Sequence, residues 1–164
     1  MDLKIFKSFE QECSKHLASE INNILKQTAG NKPCAIGFIT TDDFYGFYLT
    51  WEYTTNIYEY FEWGNGLYPG FLYNPVVDII DSCKDIDLCN PSDEKWNFAK
   101  SLLAVLDKSI KQIPDEIFQN NQYNKEDILF FATMSDGDYM QEMIDASIKM
   151  FNTSKTLNRY GLIK

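Results

Sequence analysis

Ile5, Phe9, Cys13, Leu17, Ile21 and Leu25 recur at every fourth position, and Phe6 and Ile24 widen the row they make. A stripe of that period lies on one side of the chain only if the segment is helical. Residues 2–26 are therefore expected to form an amphipathic helix, and the rest of the chain must supply the surface that covers it. Gly30, Asn31 and Pro33 end it, by a left-handed exit and then a residue that cannot continue the hydrogen-bond ladder.

The covering surface reads as a sheet. Residues 34–41 and 45–53 are rich in β-branched and aromatic side chains around an Asp42-Asp43 turn, which predicts an antiparallel hairpin. Ala35, Gly37 and Ile39 alternate with Ile36, Phe38 and Thr40. Phe47, Leu49 and Trp51 alternate with Tyr48, Thr50 and Glu52, so the second strand has one apolar and one mixed face. Residues 55–63 fit either a short helix with Ile57, Tyr58 and Phe61 inward or a strand. Residues 64–75, with three glycines and two prolines, read as a loop, and 76–80 are too short to place.

Asn90-Pro91-Ser92-Asp93 is a helix start with proline at the first helical position. The helix that follows carries Trp96, Ala99, Leu102, Leu103, Leu106, Ile110 and Ile113 on one side. Lys95, Lys100, Asp107, Lys108 and Lys111 lie elsewhere, and Pro114 ends or kinks the helix. Residues 128–134 form a continuous apolar run suited to the middle of a sheet covered on both faces. A last helix starts near residues 135–138 and buries Met140, Met143, Ile144, Ser147, Ile148 and Phe151. No repeat, low-complexity segment or linker divides the 164 residues. The expected architecture is one α+β domain over 1–164, an antiparallel or mixed β-sheet with three main α-helices packed on it.

The net charge of −9 repels nucleic-acid phosphates, and no stretch is apolar enough to span a membrane, so neither nucleic acid nor membrane is expected as a partner. Without an export signal the chain is expected in the cytoplasm, with Cys13, Cys34, Cys83 and Cys89 reduced. The sequon Asn152-Thr153-Ser154 then has no meaning.

Several chemistries lack their parts. Cys13 and His16 with Cys83 and Cys89 do not have the tight knuckles of a zinc site, and Cys13 falls on the apolar stripe, so no metal is expected. The single histidine lies on a scaffold helix, which leaves no nucleophile and base pair. Gly64-Asn65-Gly66 has no P-loop lysine after it, and no cofactor is expected. Asp136-Gly137-Asp138 resembles half a calcium loop, but Met140 and Ser147 occupy the fifth and twelfth positions, so these acids read as helix caps. A carboxylate pair of glycosidase type, or a site with Tyr or Asp138 at a cleft, remains open as the enzymatic alternative.

Charge and aromatic distribution carry the functional expectation. Residues 34–92 contain nine acids against one base, and fourteen of the 25 aromatic side chains. Tyrosine and tryptophan give large contact area at low entropic cost, and surrounding acids steer a basic partner. The expected partner-binding residues are Asp42, Asp43, Glu52, Tyr58, Glu59, Glu62 and Trp63. The bland reading is that the tyrosines fill an irregular core while the acids solvate the exterior.

The chain resembles the uncharacterised, mainly bacterial family called domain of unknown function 4303. The resemblance lies in the N-terminal helix, the hairpin Ile36-Gly-Phe-Ile-Thr-Thr-Asp-Asp43, the helix Trp96-Asn-Phe-Ala-Lys-Ser-Leu-Leu103, and the passage Leu129-Phe-Phe-Ala-Thr-Met-Ser-Asp-Gly-Asp138 leading to Ala146-Ser147 and Leu157-Asn158. It covers most of the chain, in order. It implies a compact α+β domain without assigned catalytic residues. Small acidic families of this kind often occur beside bacterial toxin genes as immunity proteins, an analogy that fold by itself does not carry. The leading expectation is a non-catalytic cytosolic module that masks a basic protein partner, a toxin, through an acidic, aromatic face. The alternatives are a carboxylate hydrolase and a self-associating structural or regulatory module.

Overall fold

A computed structural model describes residues 3–54, 56–57, 66–83 and 86–163. The N-terminal stripe forms as expected: a 3-10 turn, Leu3–Phe6, runs into helix α1, Lys7–Gln27, which buries Phe9, Cys13, Leu17, Ile21, Ile24 and Leu25. Strands β1, Ala35–Thr40, and β2, Tyr48–Glu52, pair antiparallel, with Ala35 opposite Glu52 and Ile39 opposite Tyr48. A two-residue strand β3, Gly66–Leu67, continues the meander beside β2. The apolar run at 128–134 becomes β4, Leu129–Met134, parallel to β1, and the strand order is β3-β2-β1-β4. The chain is thus α+β with a mixed sheet.

Between the hairpin and β4 the chain departs from the expectation. Helix α2, Gly70–Ser82, occupies much of the segment read as loop. Leu72, Val76 and Ile79 give it one buried face, and that burial outweighs the poor helix propensity of Gly70 and Pro75. Pro75 lacks the N–H that would reach the carbonyl of Phe71, a residue in the helix's own first turn.

Helix α3, Asp93–Lys111, is capped by Ser92, whose Oγ accepts the Lys95 N–H at 3.0 Å; Pro91 precedes the cap instead of opening the helix. Pro114 lies beyond α3 and opens a short α4, Asp115–Asn120, followed by a 3-10 turn, Lys125–Asp127. After β4 come α5, Met140–Phe151, and α6, Ser154–Arg159, the latter in a tail with no predicted element. Met140 is 40% exposed, against the expectation that it is buried. The long helices are α1, α2, α3 and α5, a fourth joining the three that periodicity revealed.

The sheet separates two apolar layers. Ile36, Phe38, Leu49, Phe130, Ala132 and Met134 pack against the inner faces of α1, α2, α3 and α4. Ala35, Ile39, Leu129 and Phe131 pack on the other side with Ile57, Ile144, Ile148 and Leu157. The predicted alternation of β1 and β2 is what assigns side chains to the two layers. Gly37 is required where the ring of Phe131 crosses β1: a Cβ there would lie 2.6 Å from its Cζ.

β4 is buried on both faces, as its composition demands, yet it is an edge strand and not a central one. The outward backbone groups of Phe130 and Ala132 are met by side chains. Phe130 N–H donates to Asn152 Oδ1 at 2.8 Å and its carbonyl accepts from Asn152 Nδ2 at 2.7 Å. Ala132 N–H donates to Ser147 Oγ at 2.8 Å. No described helix is long and apolar enough to cross a membrane.

Candidate functional site

Because β1 and β4 are parallel, the loops that leave their C-terminal ends, 41–47 and 135–139, emerge side by side. In open parallel α/β sheets ligands bind outside the carboxyl ends of the strands, and this one parallel pair presents an end of the same kind. The first loop is tightly wound. Phe44 N–H donates to the Thr41 carbonyl at 3.0 Å, Tyr45 N–H to Thr41 Oγ1 at 3.1 Å, and Thr41 Oγ1 to Asp43 at 2.5 Å. Phe44 has φ of 59°, a left-handed conformation unfavourable for a bulky side chain. It is held there by complete burial of its ring, 5.8 Å from that of Phe98.

Asp42 also reaches toward helix α3. Its Oδ1 accepts from Lys95 Nζ at 2.9 Å, and the Lys95 side chain is 0% exposed while that of Asp42 is 35% exposed. The second loop closes over this pair. Gly137, at φ of 105°, approaches so closely that a Cβ would fall 2.1 Å from Asp42 Oδ1. Tyr139 stacks on Trp96 with centroids 5.3 Å apart, and its hydroxyl accepts from Ser92 N–H and donates to the Ser92 carbonyl.

The loops and α3 are thus latched through one buried lysine. Sequence reasoning placed Lys95 off the apolar face, but it stands four residues before Ala99 and seven before Leu102, squarely on the stripe. That register was the available signal. The acids of 136–138 do not cap α5, whose N-cap is Tyr139 with no side-chain cap bond. Asp136 accepts from Ser135 Oγ and Asp138 is exposed.

Beside the latch lies a cleft of ≈ 730 Å³ formed by the end of β1, the 41–47 loop, β2 and the start of α2. Tyr45, Phe47, Tyr48, Tyr68 and Tyr73 line it, with Thr40, Thr41 and Ser135. Tyr45, Tyr68 and Tyr73 are 41%, 79% and 47% exposed, and the Tyr68 ring stacks on Tyr48 with centroids 5.0 Å apart. The wall is rigid where Gly46, at φ of 88°, lies against α2: a Cβ there would be 2.8 Å from Tyr73 Cα, and Phe47 N–H donates to the Leu72 carbonyl at 2.9 Å. No described lysine, arginine or histidine lines the cleft. Thr40 is 1% exposed, and its hydroxyl has no hydrogen-bond partner among the described residues.

Of the residues expected to bind a partner, Asp42 and Asp43 sit on the loop beside this cleft. Glu52 does not join them: the register puts it opposite Ala35, at the far end of β1, roughly 17 Å along the sheet. Burial pushes its carboxyl above the usual range, partly offset by the Thr50 hydroxyl, which donates to it at 3.4 Å. Tyr58, Glu59, Glu62 and Trp63, with most of the 55–63 segment, lie outside the described residues.

A second cavity, ≈ 530 Å³, opens near the start of β4, and several of its polar lining residues are engaged internally. Lys125 donates to the Ile113 carbonyl at 2.9 Å, Asn152 closes the β4 edge, and Glu126 pairs with Lys155. Cys13 is in the core, where burial pushes its thiol up, and His16 is on the α1 surface, 3.5 Å from Glu12. Among the described residues no three His, Cys, Asp or Glu side chains group as metal ligands. No protein-family model, curated protein or solved structure matches the chain, so the resemblance described above rests on its quoted motifs.

Proposed function

We propose that the chain is a non-catalytic, cytosolic protein-binding module of immunity type that masks a basic partner, a toxin, through an acidic, aromatic face. The observation that carries this reading is the convergence of the exposed Tyr45, Tyr68 and Tyr73 on one cleft, with no described base lining it. Asp43 and Asp136 adjoin the lining residues Thr41 and Ser135, each through a hydrogen bond. Exposed tyrosines beside carboxylates supply anchors and steering together: the rings exclude water and the charges select a basic surface. Occlusion of a partner's active site needs no chemistry from this side.

The face so defined differs from the one expected from sequence. Asp43 and Asp136 belong to it by position, Asp42 contributes through its exposed third, and Glu52 is too distant to share one small contact.

The test is capture of partners by the tagged chain at low salt, with washes of rising ionic strength. An Asp43→Asn/Asp136→Asn double variant and a Tyr68→Ala variant are run alongside. A basic protein that is retained by the native chain, released by salt, and bound about tenfold or more weakly by each variant supports the reading. Capture that is indifferent to salt and to both variants, or no capture by the folded native chain, would overturn it.

A further inference from the structure

We propose that the tyrosine cleft is a guanidinium site whose occupant is one arginine side chain of the basic partner, an inference that rests on the function proposed above. Tyr68 is 79% exposed and stacked on Tyr48 through one face, which leaves the other face open. An open tyrosine face attracts a cation, and of the two side chains that are fully cationic at neutral pH, arginine and lysine, only the guanidinium is planar and can stack while its edge N–H groups remain free to donate.

Acceptors for those donors are at hand. Thr40 is among the residues that line the cleft, and Asp43 carries a carboxylate on the adjoining loop, bonded to the lining residue Thr41. A guanidinium that stacks on the ring and donates to a carboxylate gains a charge-assisted hydrogen bond that a ligand which merely fills space does not. An apolar occupant would make no use of the acids. An anion would meet a chain of net charge −9 and a lining with no described base. A lysine ammonium, compact and strongly hydrated, would have to shed its water to approach the rings.

The site is also built in advance. Gly46 is wedged against the backbone of Tyr73, and the left-handed Phe44 fixes the loop that presents Tyr45. Local strain of this kind persists where the surrounding structure over-determines it, and it is concentrated at binding sites. Little ordering therefore remains to be done when a ligand enters.

The experiment is titration of the isotope-labelled full chain with N-acetyl-arginine amide, N-acetyl-lysine amide and N-acetyl-citrulline amide at low salt, followed by amide NMR shifts. Citrulline keeps the shape of arginine without its charge. The expected result is saturable shifts at Thr40, Tyr45, Gly46 and Tyr73 with arginine, and affinities roughly tenfold weaker with citrulline and severalfold weaker with lysine. Tyr68→Leu, at an exposed position, should weaken arginine binding by about fivefold with an unchanged melting temperature. Equal binding of arginine and citrulline, lysine binding as tightly as arginine, shifts located elsewhere, no saturable shift, or indifference to Tyr68→Leu would each overturn the proposal. Its failure is separable from that of the function: salt-sensitive capture of a basic protein without arginine selectivity removes only the guanidinium site. Arginine selectivity without a captured partner removes only the masking role.

Discussion

At the scale of single residues, the pair of Lys95 and Asp42 joins a fully buried cation to a partly exposed anion. The ammonium has no access to water, whereas the carboxylate keeps about a third of its exposure. Breaking a buried pair is costly chiefly for the partner that is left uncompensated. Asp42→Ala strands the buried cation and is expected to cost about 3–5 kcal/mol. Lys95→Met strands a carboxylate that can hydrate, and is expected to cost about 1–2 kcal/mol. The double variant should be more stable than Asp42→Ala alone, with a coupling of about 1–3 kcal/mol in urea denaturation, whereas equal costs for the two single changes would contradict the assigned burial. Glu52 is half-buried at the end of β2. Burial raises its folded pKa above the unfolded value, so the folded chain holds that proton more tightly. Ionised Glu52 therefore lowers stability at neutral pH, and the penalty disappears as pH falls through the folded value to below the unfolded one. Glu52→Gln should stabilise the chain slightly at neutral pH and leave it unchanged in acid, as followed by thermal melts across pH.

At the scale of elements, an edge strand as apolar as β4 invites pairing with another chain unless its outer groups are covered. Asn152 and Ser147 cover them, each bonded to a main-chain group of a residue no more than 2% exposed. Asn152→Ala and Ser147→Ala each leave buried main-chain groups unpaired and are expected to cost about 1–3 kcal/mol. Amide exchange should accelerate at Phe130 in the first variant and at Ala132 in the second; unchanged protection would show the edge to be covered by other means. A reading by sequon alone gives Asn152 no such role, because the geometry that matters is that of a strand 22 residues earlier. Elements whose signal is local were legible: the four-residue stripe of α1, the alternation in β1 and β2, and the existence of α3, although its cap is Ser92 and Pro91 does not open it. Helix α2 was not. Its glycine and proline argue for a loop, and only contact of Leu72, Val76 and Ile79 with the core reverses that preference. The candidate site was partly legible. The Asp42-Asp43 loop and the surplus of tyrosines stand in the sequence, but the distance from Glu52 follows from the hairpin register, and the membership of Tyr73 and Ser135 from elements that meet only when folded.

At the scale of the whole molecule, the segregation of nine acids and one base into residues 34–92 is readable without coordinates, as is the α+β class. Periodicity, turn residues and charge are properties of neighbours along the chain, and neighbours suffice to specify which helices and strands form and where negative charge concentrates. The tertiary structure decided what neighbours do not encode. It placed a lysine inside the protein because a carboxylate 53 residues away comes within 2.9 Å to compensate it. It set the most apolar strand at the sheet edge because two side chains of the following segment satisfy its backbone. It also gathered tyrosines from β2, its preceding loop and α2 into one cleft. In each case the deciding term is the free energy of burying a charge, a peptide group or an aromatic face, and that energy is set by partners that only long-range packing brings within reach.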